Sequence, residues 1–235
     1  MFFDWTYLYL VLPAVIFSII MSSRVNSVFD KFSKVFSIRG ITAAEAVDSV
    51  LKGAGVVGVK IERVRGKLTD HFDPRSNTIR LSETVYDSTS VAAIGVACHE
   101  AGHAIQYAEH YVPIKLRNMI IPITNIGSRL SVPLILIGLA LSYMGQAYVM
   151  LAYIGVALFG LCVVFQLLTL FAEFDASNRA MNSIRDNLIL DEQEMVGTKK
   201  VLSAAAMTYV AALAVTLMQF LRLLLLVSGR SNRRR

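Results

Sequence analysis

Cysteine is scarce in this chain of 235 residues: Cys98 and Cys162 are the only two. One falls beside a histidine on a helical stretch and the other inside an apolar run, a placement ill suited to a disulfide, so no disulfide framework is expected. Cys98 reads as a packed core thiol, because adjacent helical residues point about 100° apart and it cannot share a face with its neighbour His99. Charge is scarce too. Only 17% of residues are charged against 55% apolar, which excludes an ordinary water-soluble domain. A net charge of +6 is compatible with nucleic-acid binding, but the basic residues are not interleaved with aromatics in any binding motif, so no nucleic-acid partner is expected. Internal repeats are absent, and so is low-complexity sequence apart from a basic tail.

What is present is apolar sequence in blocks long enough to cross a bilayer, which takes roughly 20 helical residues. The first covers 5–21. It has neither a basic start nor a small-residue cleavage site, and reads as a retained anchor rather than a signal peptide. A second (about 126–144) and a third (148–171) are separated only by Gly145-Gln146-Ala147, predicting a tight antiparallel hairpin over 126–171. A fourth, 201–227, contains Arg222, which either snorkels to the interface or marks a segment that does not fully cross. Three to four transmembrane helices are therefore expected. Arg24, Lys31, Lys34 and Arg39 follow the first span, and Lys115, Arg117 and Arg129 precede or open the second. By the positive-inside rule, residues 22–125 are cytoplasmic, and 172–200 return to the same side. The tail, 228–235, with Arg230, Arg233, Arg234 and Arg235, conflicts with that rule if all four segments cross.

The segment 22–125 carries signals of a small α+β unit. Thr42-Ala43-Ala44-Glu45 is a capping box and Gly53 a stop, predicting a helix of about eleven residues. Residues 56–64, 67–72 and 78–82, separated by Arg65-Gly66 and by Asp73 to Asn77, predict a small antiparallel sheet. Thr78 to Ser82 is expected at its edge, where it could hold an extended substrate. From Ser88-Thr89-Ser90 a helix is predicted over 90–108.

That helix holds His99-Glu100-Ala101-Gly102-His103. Residues four apart share one face, so two imidazoles can grip one cation, and neutral imidazole at tetrahedral geometry favours Zn2+. Glu100 is placed to take a proton from a water at the open position. With four histidines and eight glutamates, the pattern arises by chance roughly 0.2% of the time. A catalytic zinc usually has three protein ligands. Gln106 and Glu109 stand where a metzincin needs glycine and histidine. His110 is roughly 10 Å farther along the axis than His103 at 1.5 Å per residue. The third ligand is therefore sought after the hairpin, in Glu173-Phe174-Asp175-Ala176-Ser177. Glu173 is the choice, and Asp175 is either the alternative ligand or a partner orienting a histidine N–H. Tyr209, Arg179 and His71 are candidates for stabilising developing oxyanion charge.

The runs Asp70-His71-Phe72-Asp73-Pro74, Thr78 to Ser82, Val96 to Gln106, Glu173 to Ser177 and Ala205 to Ala211 resemble the YugP family of bacterial neutral zinc membrane metallopeptidases, along nearly the whole chain. More distantly they are similar to the HtpX and CAAX-prenyl membrane proteases. The resemblance implies a mainly α membrane protein with a small cytosolic zincin-like catalytic domain, in the bacterial cell membrane. It also implies a gluzincin-like site completed by Glu173 and acting on peptide or protein substrates in contact with membrane lipid. The more distant relatives carry an aspartate four residues after the ligand glutamate, where this chain has Ser177. Two rival classes remain: a structural zinc site, disfavoured because only three ligands are convincing, and a transporter, disfavoured because ionisable groups lie at span ends.

Overall fold

The computed structural model describes residues 5–232, with side chains described as far as residue 229. Arg233, Arg234 and Arg235 of the basic tail lie outside the described residues. The chain is mainly helical, in the order α1 (Leu12–Phe32, led in by a π-helical turn Tyr7–Val11), α2 (Ala43–Gly53), β1 (Lys60–Val64), β2 (His71–Asp73), β3 (Thr78–Ser82), α3 (Val91–Ala108), α4 (Val112–Ala140), α5 (Gln146–Asp186) and α6 (Glu192–Asn232). Four helical stretches are long and apolar enough to cross a membrane: Tyr7–Phe32, Val112–Ala140, Gln146–Asp186 and Glu192–Gly229. The expectation of three to four spans thus resolves to four candidates. Helices α1 and α5 run on past their apolar stretches because no breaker follows those stretches: α5 continues past Phe171 until Leu188 turns left-handed at φ 50°.

The chain divides into two compact units. One comprises Met21–Ile114 with Phe171–Thr208, and the other the described parts of Met1–Ile20, Lys115–Leu170 and Tyr209–Arg235. In the second, α4 and α5 pack against each other. A Cβ on Gly138 would stand 2.6 Å from Tyr148 O, and one on Gly155 would stand 2.7 Å from Ser131 O. Small residues thus let α4 and α5 approach backbone to backbone, the means by which helices associate in lipid without a hydrophobic drive. Ile135, Ala152, Val156, Leu223 and Val227 form its small core. Arg222, the charge inside the fourth apolar run, lies 5.4 Å from the Tyr7 ring centroid and donates to Gln219 Oε1 at 3.3 Å.

The first unit packs its core around a central helix, α3. The capping box holds as predicted: Thr42 Oγ1 accepts from Glu45 N at 3.3 Å, and Glu45 Oε2 accepts from Thr42 N at 2.9 Å. The helix it starts ends at Gly53 after eleven residues. Its apolar stripe of Ala43, Ala46, Val47, Val50 and Leu51 is buried with Ile79, Leu81 and most of α3. Each large aliphatic side chain so buried contributes roughly 1.5–3 kcal/mol relative to exposure. Apolar residues lie on every side of α3 up to His99, which fits a helix enclosed on all sides.

The sheet departs from expectation in two respects. It is mixed rather than antiparallel, with β1 parallel and β2 antiparallel to β3 in the order β1-β3-β2. Arg65-Gly66 does not close a hairpin. Gly66, at φ +113°, opens a loop that carries the chain to the far side of β3, where Asp70 accepts from Ser82 N at 2.7 Å and from Ser82 Oγ at 3.0 Å. Burial raises the Asp70 carboxyl above its ordinary range despite those bonds. As a result β3, expected to be an edge strand, is the central one, paired on both sides, and the edges are β1 and β2.

Candidate metal centre

Ser90 starts α3, its Oγ accepting from Ala93 N at 3.2 Å. Two turns on, His99 and His103 project from one face, their rings nearly perpendicular at 83° with centroids 4.8 Å apart. The residue between them that decides the architecture is Gly102. A Cβ there would stand 2.4 Å from Ala176 O on α5, so only glycine allows this crossing. Ala176 lies one helical turn after Glu173, and the close approach thereby delivers the Glu173 carboxylate to the two imidazoles.

Glu173 Oε2 lies 3.2 Å from His99 Nε2 and 3.6 Å from His103 Nε2. One ligand atom from each of the three residues falls within 4.8 Å of the others. Around a tetrahedral zinc with bonds of about 2.0–2.2 Å, ligand atoms stand about 3.3–3.5 Å apart, so the two measured spacings fit that ion. The donor chemistry agrees. Gln106 is fully buried, and its Nε2 donates to Ala172 O at 2.8 Å and to Asp175 Oδ2 at 2.7 Å. Its Oε1 must then be the atom facing His103 Nδ1 at 2.9 Å, and a carbonyl oxygen only accepts. In neutral His103 the proton accordingly sits on Nδ1, and the Nε2 lone pair is turned toward Glu173. His99 Nδ1 has its own partner in Ser177 Oγ at 3.1 Å. Both histidines are thus engaged through their second nitrogen, as histidines at metal sites commonly are.

The network runs outward from there. Arg179 Nε donates to Asp175 Oδ2 at 2.5 Å and its Nη1 to Glu109 Oε2 at 2.6 Å, with the guanidinium 5.6 Å from the Tyr111 ring centroid. Glu100 is buried beside His99, and its Oε2 accepts from Phe72 N of β2 at 2.8 Å. Burial opposes charge on His103, but the hydrogen bond to Glu173 and the nearby Glu100 and Glu173 carboxylates outweigh it and raise its pKa above the ordinary imidazole value. Burial pushes the Cys98 thiol up to about 12, as befits a packed, unreactive group.

Of the residues singled out from sequence, His99, His103 and Glu173 come together and Glu100 stands next to them. Asp175 reaches His103 only through Gln106, and Arg179 is one step farther out, engaged by two carboxylates. His71 is exposed on β2, its Nδ1 2.8 Å from Thr69 O, and Tyr209 belongs to the other unit. His110 follows the end of α3 in a left-handed conformation, exposed. Sequence reasoning missed Gln106 and the role of Ser177. Gln106 lies three residues after His103, on the same helical face, and Ser177 occupies the position at which the distant relatives carry aspartate. A hydroxyl oxygen here does what a carboxylate oxygen could do, which is to engage His99 Nδ1.

Comparisons with known proteins agree with this chemistry. A family model described as "Putative neutral zinc metallopeptidase" matches residues 7–228. A Bacillus subtilis (strain 168) protein described as "Putative membrane protease YugP" is 41% identical over 227 residues, which is 96% of this chain and 99% of that protein. No solved structure matches the chain. With almost its whole length covered by both the family model and the Bacillus relative, the chain belongs to the neutral zinc metallopeptidase family.

Proposed function

We propose that this chain is an integral-membrane zinc endopeptidase of gluzincin-like design, with His99, His103 and Glu173 holding the ion in a zincin-like α+β unit. The observation that carries this reading is the convergence of both Nε2 atoms on the Glu173 carboxylate while each Nδ1 is engaged elsewhere. Zinc bound there supplies Lewis acidity toward a peptide carbonyl and makes water nucleophilic at neutral pH. Glu100 accepts the proton of the attacking water and returns it to the leaving amine. The Phe72 N–H holds that carboxylate in position, so β2 contributes to the site through its backbone. As the edge strand next to Glu100, β2 also takes the part expected of Thr78 to Ser82, lying alongside an extended peptide substrate.

Glu100→Gln keeps the volume and removes the base. The purified variant is expected to bind zinc as the parent does while its peptidase activity falls by at least a hundredfold. Undiminished proteolysis would overturn the assignment. The catalytic unit faces the cytoplasm in this proposal, because Arg24, Lys31, Lys34 and Arg39 follow the first span. Substrates are then membrane or misfolded proteins met at the cytoplasmic face. Glu83 is exposed in the turn after β3, so Glu83→Cys should resist a membrane-impermeant thiol reagent in intact cells and react after lysis. Labelling in intact cells would invert the topology.

A further inference from the structure

Away from the metal centre, α1 and α6 border a cavity of about 590 Å³. Arg24, Lys31, Lys199 and Lys200 are all exposed around it, and no acidic residue lines it. Its apolar floor is Phe32, whose ring packs against α6 so closely that a Cβ on Gly197 would stand 2.8 Å from Phe32 Cδ1. Lys31 Nζ and Lys200 Nζ both approach this one ring, at 5.6 Å and 5.8 Å from its centroid. Two ammonium groups are thus gathered at one ring, with two further cations on the same walls. Nearby carboxylates are committed elsewhere: Asp30 pairs with Lys67 at 2.7 Å, and Glu194 accepts from Ile38 N and Asp191 N. Among the described residues, none of the four cations forms an ion pair.

Such a cluster repels itself until an anion enters, and its place along the chain says which anion. Arg24 comes three residues after the first apolar run ends, and Lys199 and Lys200 immediately precede the run that begins at Val201. Arg24 on α1 and Lys199 and Lys200 on α6 therefore stand where an apolar stretch meets its polar flank, the level at which lipid phosphates lie, and Lys31 reaches in from about two turns farther along α1. We propose that the cavity is a binding site for the headgroup of an anionic phospholipid, its phosphate held by Arg24, Lys31, Lys199 and Lys200 around Phe32 and its glycerol end toward Met207. The site depends on α1 and α6 crossing the membrane and not on the peptidase chemistry, so either reading can fail alone.

The test uses the full-length protein in nanodiscs of phosphatidylcholine containing phosphatidylglycerol. Lipid retained through detergent extraction is identified by native mass spectrometry. Wild type should retain phosphatidylglycerol in preference to phosphatidylcholine, and each neutralisation to Gln should weaken retention about fivefold. Lys200→Arg should keep it. Zinc content serves as the folding control for the variants, and the comparison of the two lipids in wild type needs no variant at all. Equal retention of both lipids would overturn the proposal, as would undiminished phosphatidylglycerol binding when all four cations are changed to Gln. Binding of inorganic phosphate without any lipid preference would assign the cavity to a free anion and also overturn it.

Discussion

Helix α5 makes two backbone-close crossings, and they differ in what they carry. At one, Gly138 of α4 meets Tyr148 O and Ala152 N, each 2.6 Å from where a Cβ would stand. At the other, Gly102 of α3 meets Ala176 O at 2.4 Å. The steric device is the same. Around Gly138 the surroundings are apolar, and exposed Leu136, Ile137 and Met150 suit a lipid environment. Around Gly102 stand two imidazoles, a buried carboxylate and a buried glutamine whose polar atoms all have partners. One crossing joins helices, while the other also sets the spacing of the candidate metal site, so its tolerance is measured in tenths of an ångström.

The sharpest way to break that contrast is to add one methyl at each crossing. Gly102→Ala presses against backbone that cannot rotate away, so a cost at or beyond the upper end of the 1–3 kcal/mol typical of overpacking is expected, together with loss of stoichiometric zinc. Gly138→Ala should lower the melting temperature in detergent while zinc is retained. Metal analysis with thermal melts decides it, and equal zinc loss in the two variants would show that the crossings are not distinct in function.

Next in size is Gln106→Leu, which keeps the volume of the side chain but frees His103 Nδ1 and leaves Asp175 with Arg179 alone. Loss of an orienting partner of this kind typically costs 10–100-fold in metal affinity. Competition with a chelator of known zinc affinity measures it. An unchanged affinity would mean that His103 is held by packing rather than by its hydrogen bond.

These residues also mark how far the sequence could be read. His99, Glu100 and His103 were legible because an i, i+4 pair shares a helical face whatever surrounds it. Thr42 and Glu45 were legible because a capping box is closed within four residues. Glu173 could be placed after the hairpin, but its separation from Asp175 needed the family resemblance, since nothing local says which carboxylate faces α3. The contact of Gly102 with Ala176 supplies what was missing, because it fixes the rotation of α5. The order of the sheet was not legible. Arg65-Gly66 looks the same whether it closes a hairpin or opens a crossover, and the anchor that decides, Asp70 on Ser82, is a tertiary contact.

The smallest effect per step is a graded one, with pH. In the metal-free site His103 holds its proton more tightly than a free imidazole, chiefly through Glu173. A pKa raised by folding adds stability to the metal-free protein below the free-imidazole value of about 6.5, and this is lost as pH rises through the raised value. Zinc needs the same nitrogen deprotonated, so for zinc the sign reverses. Affinity is full above the raised pKa and falls as pH drops through it, by about tenfold per unit for each proton displaced. Zinc affinity measured by competition with a fluorescent chelator should therefore start to fall at a higher pH than for a site of unperturbed histidines. Gln106→Leu removes one of the contacts that raise the pKa, and should shift that onset downward even as it weakens binding overall. Gly138 meets Tyr148 O and Ala152 N, backbone atoms that do not titrate, so the fall in melting temperature caused by Gly138→Ala should be the same across this range. A parallel drop there would erase the distinction between the two crossings.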